Sequence, residues 1–357
     1  MDVSGRLPDP EFWRGRRVLL TGHTGFKGSW LALWLARLGA VVTGFALAPD
    51  TKPALFDLAG VAGDLASRLG DLRDEAAVAA AVEAADPEIV LHLAAQPLVR
   101  RAIADPVDTL ATNVMGTVHL LQALRKAPRL ARVVVVTSDK VYDNRDGGLA
   151  FGEDDALGGK DPYSASKAAA EMVTRAWRET YLAPRGVQVV TARGGNVIGG
   201  GDAAEDRIVP DIVRAWGRGE RVRLRMPEAT RPWQHALDCL AGYLLFAESL
   251  GDGAPRALNF GPDPAKPVSV AALTRAMLEA LGASPEFETE PQTGSPEMRT
   301  LAVDARRAEA TLGWRNRLPG EAAIRWTADW HRRVRMGESP RSVTLAQIET
   351  YSKAVSD

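Results

Sequence analysis

Five side chains in two short stretches have types suited to moving protons: Ser138, Asp139 and Lys140 in "VTSDKVY", and Tyr163 with Lys167 in "DPYSASK". A phenol with an ordinary pKa near 10 is a poor base at neutral pH. Tyr163 and Lys167 stand four residues apart, so on a helix both project from one face. An ammonium there stabilises the phenolate and makes proton exchange with an alcohol feasible. The spacing by itself also describes an ordinary solvated helix face. Ser138 to Lys140 follow four valines, 133–136, and lead to Tyr142, Asp143 and Asn144. So apolar and β-branched a run reads as a strand buried on both faces. Its polar end either faces water or marks the carboxyl edge of an α/β sheet, where ligands bind.

A second stretch favours the ligand edge. "TGHTGFKG", 21–28, follows the strand-like "RVLLT" and opens a helical pattern. Its glycines, Gly22, Gly25 and Gly28, permit a tight turn and let a pyrophosphate approach backbone N–H groups at a helix N-terminus. The strand–turn–helix setting predicts dinucleotide binding over a packing turn that binds nothing. After the second strand the chain reads "FALAPDTK", with Asp50 as the nearest carboxylate and no Arg to grip a 2′-phosphate, which favours NAD over NADP. Asp71 and Leu72 in "GDLRD" are placed for the adenine end.

These residues need a scaffold, and its elements alternate along the chain. Strand patterns at 17–21, 41–47, 89–94, 132–137 and 187–193 are separated by helical patterns at 27–38, 74–85, 106–126 and 163–182. That alternation predicts an α/β fold: a doubly wound parallel (Rossmann) sheet with a smaller C-terminal α/β substrate-binding domain. Residues 1–193 form the expected cofactor domain and 194–357 the substrate-binding region. A part near 235–265 is expected to pack back on the first domain.

The 357 residues are 46% hydrophobic and 25% charged, with a net charge of -1, which argues against a nucleic acid or a membrane surface as the main partner. The single cysteine, Cys239, lies in an apolar helical pattern, excludes an intrachain disulfide and fits a reducing cytoplasm. The N-terminus lacks the apolar core of a signal peptide. The apolar stretch 28–48 carries Arg37 and Gly39 and reads as a soluble helix followed by a strand. No metal site is expected.

Together, "TGHTGFKG", "LHLAAQ", Asn113 in "TNVMGT", Ser138, Tyr163 with Lys167 and "GNVIGGGD" resemble the extended short-chain dehydrogenase/reductase family over nearly the whole chain. Within it, "GHTGFKGSWL", "AAQPLVR", "TSDKVYDN", "DPYSASK" and "RPWQH" resemble the dehydratases that act on CDP-glucose; "GDAAEDR" and "PEMRTL" depart from that pattern. The resemblance implies NAD as cofactor, CDP-glucose as substrate, a place in deoxysugar and O-antigen synthesis, and a homodimer or homotetramer built through 106–126 and 163–182. It assigns the 4-hydroxyl proton to Tyr163, with Ser138 on the same oxygen and Lys167 on the nicotinamide ribose. Asp139 and Lys140 become the acid at C6 and the base at C5, the alternative for Lys140 being electrostatic stabilisation of an enolate. Loop residues 22–28, Leu93, Ala94 and Ala95 would contact the cofactor, His23 and Lys27 neutralising its phosphates and Asn113 ordering the site. Gln96, Arg100, Asn196, Arg207, Arg231 and His235 would meet the sugar nucleotide. A 4-epimerase of the same fold needs no Asp139–Lys140 pair, and a non-catalytic module needs neither Tyr163 nor Lys167.

Overall fold

A computed structural model describes residues 5–144, 147–148, 150–290 and 300–353. "PEMRTL" falls mostly outside them. Seven parallel strands form the central sheet: β1 Arg17–Thr21, β2 Val41–Ala46, β3 Ala66–Leu69, β4 Ile89–His92, β5 Arg132–Val136, β6 Gln188–Gly194 and β7 Ala257–Phe260. Their order is β7-β6-β5-β4-β1-β2-β3, so the direction of winding reverses between β4 and β1. The carboxyl ends there make the crevice in which such sheets hold ligands. β5 shows why the valine run is continuous. Val134 and Val136 pack into the core on one face, Val133 and Val135 into the core on the other. Each such burial contributes about 1.5–3 kcal/mol.

Five helices matter to the site: α1 Phe26–Arg37, α2 Gly116–Leu124, α3 Pro162–Trp177, α4 Ile208–Arg218 and α5 Ala236–Glu248. Asp161 starts α3 by accepting from Ser164 N (3.0 Å), with Pro162 in the first turn where its missing N–H costs nothing. The stretch 106–126 is not one helix. Pro106–Leu110 passes through a widened π turn, Ala111–Met115, before α2, and a second π turn, Arg178–Leu182, ends α3.

Beyond β6 the described residues make three two-stranded pairs, and the chain returns to the sheet. α5 packs against α1 and β5, and β7 pairs with β6. Asp238, buried in α5, ties the C-terminal segments down by accepting from Arg317 N (2.8 Å), Leu318 N (3.0 Å) and Tyr351 Oη (2.8 Å). Residues 28–48 lie in α1 and β2, and among the described residues no helix is long and apolar enough to cross a membrane.

Candidate active site

A cleft of about 270 Å³ opens over the carboxyl ends of the strands, lined by Ser138, Asp139, Lys140, Tyr163 and Lys167. Ser138 and its neighbours are positioned by a single 3₁₀ turn, Asp139–Val141, directly after β5. Ser138 Oγ accepts from Lys140 N (3.2 Å) and donates to Asp139 Oδ1 (3.0 Å). Asp139 is 2% exposed, and its Oδ2 has no protein partner. Burial raises its pKa, against the pull of Lys140, Ser138, Arg231 and Lys27. A carboxyl held toward its protonated form is suited to donating a proton. Lys140 Nζ lies 6.0 Å from the Tyr163 ring centroid.

Tyr163 and Lys167 share a face of α3, as their spacing requires, but the electrostatics correct one expectation. The Tyr163 phenol is pushed up to about 12, chiefly by burial, with Ser138 opposing. Lys167 is itself lowered to about 7, by burial and then by the Lys27 charge, with Glu171 opposing. Its ammonium points at the Val136 carbonyl, 3.2 Å away. Burial outweighs what Ser138 and Arg207 give the phenolate.

The glycine loop fits a dinucleotide. Gly22 has φ +79°, and a Cβ there would lie 2.7 Å from Ala94 N; one on Gly28 would lie 1.9 Å from Gly22 O. Gly25 precedes α1 with no side chain capping it, leaving the helix N-terminus open to an anion. Leu93 and Ala95 line the cleft beside it. Thr24 Oγ1 donates to Leu47 O (2.8 Å) and Phe26 packs at Gly199, so these two brace the loop. Asn113, in the first π turn, accepts from Gln96 N (2.7 Å) and donates to Gln96 O (3.0 Å) and Ser166 Oγ (2.9 Å), fixing β4's exit to α3. Asp71 is paired with Arg73, and Leu72 is buried against Gly116.

Three assignments change, those of His23, Gln96 and His235. His23 is fully buried against Gly44, bonds Ser67 Oγ (2.8 Å) and has a pKa lowered to about 4 by burial; uncharged, it cannot neutralise phosphate. Lys27 lies in the cleft wall near Asp139 and Lys167, its ammonium 5.6 Å from the Tyr243 ring centroid. Gln96 turns inward, accepting from Leu98 N (2.7 Å) and donating to Thr109 Oγ1 (2.9 Å). His235 accepts from Leu237 N (3.2 Å) at the start of α5, edge-on to Trp30 and Trp326 and away from the cleft. Arg100, Asn196, Arg207 and Arg231 do line the cleft.

Sequence reading missed the far wall. Arg223, Arg225 and Asp206 line the cleft, and Asp206 joins Arg225 (3.1 Å) and Arg100 (3.4 Å) across it. The alternating cations of "RVRLRM" are the signal that could have found the two arginines. Gly195 is also required: a Cβ there would lie 2.7 Å from Pro232 Cγ and 3.2 Å from Asp139 Oδ2.

Comparison with known proteins agrees with this geometry. Residues 18–261 match the NAD dependent epimerase/dehydratase family. The chain is 39% identical over 354 residues to the CDP-glucose 4,6-dehydratase of Salmonella typhimurium, covering 97% of this chain and 99% of that one. A dTDP-glucose 4,6-dehydratase from Streptomyces venezuelae, solved with NAD bound, superposes with a TM-score of 0.77 at 26% identity, over 91% of this chain and 99% of the other. A UDP-glucose 4-epimerase from Thermus thermophilus, also with NAD, gives 0.78 at 26% identity, over 88% and 98%. Matching residues over most of its length, and carrying both the glycine loop and the Tyr163–Lys167 helix, the chain belongs to the NAD-dependent epimerase/dehydratase family.

Proposed function

We propose that this protein is a CDP-glucose 4,6-dehydratase, converting CDP-glucose to CDP-4-keto-6-deoxyglucose and water. The observation that carries the reading is the Asp139–Lys140 pair in the same cleft as Tyr163 and Lys167. Oxidation at C4, or 4-epimerisation, is served by Tyr163 alone. Elimination across C5 and C6 needs a second acid and base.

When bound, NAD supplies a hydride acceptor for C4 that later serves as donor to C6, and a positive ring that favours the Tyr163 phenolate. Tyr163 takes the proton of the 4-hydroxyl while Ser138 holds that oxygen. The resulting ketone acidifies the C5 proton, which passes to Lys140. Asp139, kept toward its protonated form by burial, gives its proton to the departing 6-hydroxyl, which leaves as water. Lys140 returns a proton to C5 once C6 is reduced, and the proton held by Tyr163 balances the one Asp139 gave up. Arg100, Arg207 and Arg231 line the cleft and would grip the diphosphate through bidentate contacts.

Mass spectrometry of CDP-glucose incubated with the protein and NAD tests the reading. The expected product has lost one water. A product of unchanged mass, with inversion at C4, would establish the epimerase instead.

A further inference from the structure

The span Thr137–Tyr142 carries Ser138, Asp139 and Lys140 between two buried anchors. At its start, Thr137 Oγ1 donates to Glu171 Oε1 (2.6 Å). At its end, Tyr142 Oη donates to Asn259 Oδ1 (2.6 Å) and accepts from Arg193 Nη1 (2.9 Å). The anchors are joined, because Arg193 Nε and Nη2 donate to the two carboxylate oxygens of Glu171, each at 2.9 Å. Thr191 Oγ1 adds a fourth bond to Glu171 (2.7 Å), and the Tyr142 ring stacks on Phe151 at 4.9 Å. Glu171, Arg193 and Tyr142 are all buried. Glu171 also stands one helical turn beyond Lys167 on α3, so the helix bearing Tyr163 and Lys167 is tied to both ends of the span.

A buried ion pair contributes little net stability compared with apolar packing, so stability does not account for this one. Placement does. The proposed reaction works on three consecutive sugar carbons, with Tyr163 at C4, Lys140 at C5 and Asp139 at C6. Misplacing a reacting group by about 1 Å can cost 100-fold in rate.

We propose that Glu171, Arg193 and Tyr142 are positioning residues for the elimination half of the reaction, fastening the Asp139–Lys140 turn in register with the Tyr163 helix. This rests on the dehydratase reading above. The Tyr142 hydroxyl bonds Asn259 and Arg193, and it anchors the end of the span two residues from Lys140. Removing that hydroxyl frees the end of the span, while Arg193 Nε and Nη2 keep their bonds to Glu171 on α3.

The test is Tyr142→Phe, assayed in single turnovers of the NAD-loaded enzyme with CDP-glucose in deuterated water. Appearance of reduced nicotinamide absorbance reports C4 oxidation, and deuterium at C5 with release of water reports elimination. The expected result is C4 oxidation near the wild-type rate with elimination slowed about 10- to 100-fold, so that reduced cofactor accumulates. If Tyr142→Phe does not fold, Asn259→Ala removes the acceptor of the Tyr142 hydroxyl at the same anchor, and the same split is expected. Equal loss in both halves, or no loss in either, overturns the positioning role. A wild-type enzyme that releases no water overturns the dehydratase reading instead, and this inference with it.

Discussion

At the scale of single residues, the charge type of Lys140 sets the sharpest demand. An ammonium cannot accept a proton, so a base at C5 must spend part of its time neutral, whereas a stabiliser of the enolate must stay charged. Lys140→Met separates the two roles. It should still oxidise C4, giving bound reduced cofactor and a 4-keto hexose, but fail to exchange the C5 proton with deuterated water. Deuterium entering C5 at near the normal rate would show that another group is the base. Lys167 makes a second demand. Burial lowers its pKa from 10.5 to about 7 in the folded protein. Between those values the unfolded chain holds a proton that the folded one lacks, so stability rises with pH across that window, by about 1.4 kcal/mol per unit. Below it both states are protonated and the contribution lies flat at its least favourable. Urea midpoints of the cofactor-free protein at pH 7 and pH 9 should therefore rise more in the wild type than in Lys167→Met. Parallel changes in the two proteins would refute the shift. Tyr163, Lys167, Ser138, Asp139 and Lys140 were legible because each group lies within one short segment. Their protonation was not, because burial comes from residues distant in sequence.

At the scale of elements, the same distinction separates what periodicity reveals from what packing decides. β1, β2, β4, β5 and β6 announced themselves as apolar runs because both their faces are covered. β3 did not: its "ASRL" is exposed at all four positions, being the last strand of the sheet, and it forms because β2 offers it unpaired backbone. β7, only "ALNF", lies beyond the Pro- and Gly-rich stretch and joins the sheet because α5 and β6 bring it there. The two π turns were invisible for another reason. One extra residue in a helical turn leaves the apolar pattern nearly unchanged but re-aims a side chain, and Asn113 sits in such a turn, reaching the Gln96 backbone and Ser166 together. His23 and His235 show the opposite error. Each lies in a motif that marks a ligand site, yet burial turned both into uncharged packing groups.

At the scale of the whole molecule, the charge balance leaves association to apolar surface. The helical runs around 99–124 and 162–182 pack on each other, and both present large apolar side chains to solvent: Val107 is 75% exposed, Met172 58% and Met115 47%, with Ile103, Leu110 and Tyr181 partly so. Several such residues on adjoining helices are suited to association. We propose that a second copy of the chain covers it, because a two-fold axis would let one patch cover its own twin, as in most soluble oligomers. Covering a side chain as exposed as Val107 contributes up to about 1.5–3 kcal/mol on each copy. A carboxylate at that position would instead be desolvated and brought near its symmetry mate, at a cost of several kcal/mol. Sedimentation should therefore give a dimer or tetramer for the wild type at micromolar concentration and a monomer for Val107→Glu, with unchanged circular dichroism. Val107 does not line the cleft, so the Val107→Glu protein should keep its nucleotide-sugar site. A wild type that sediments as a monomer, or a Val107→Glu protein that stays assembled, would place the interface elsewhere or remove it.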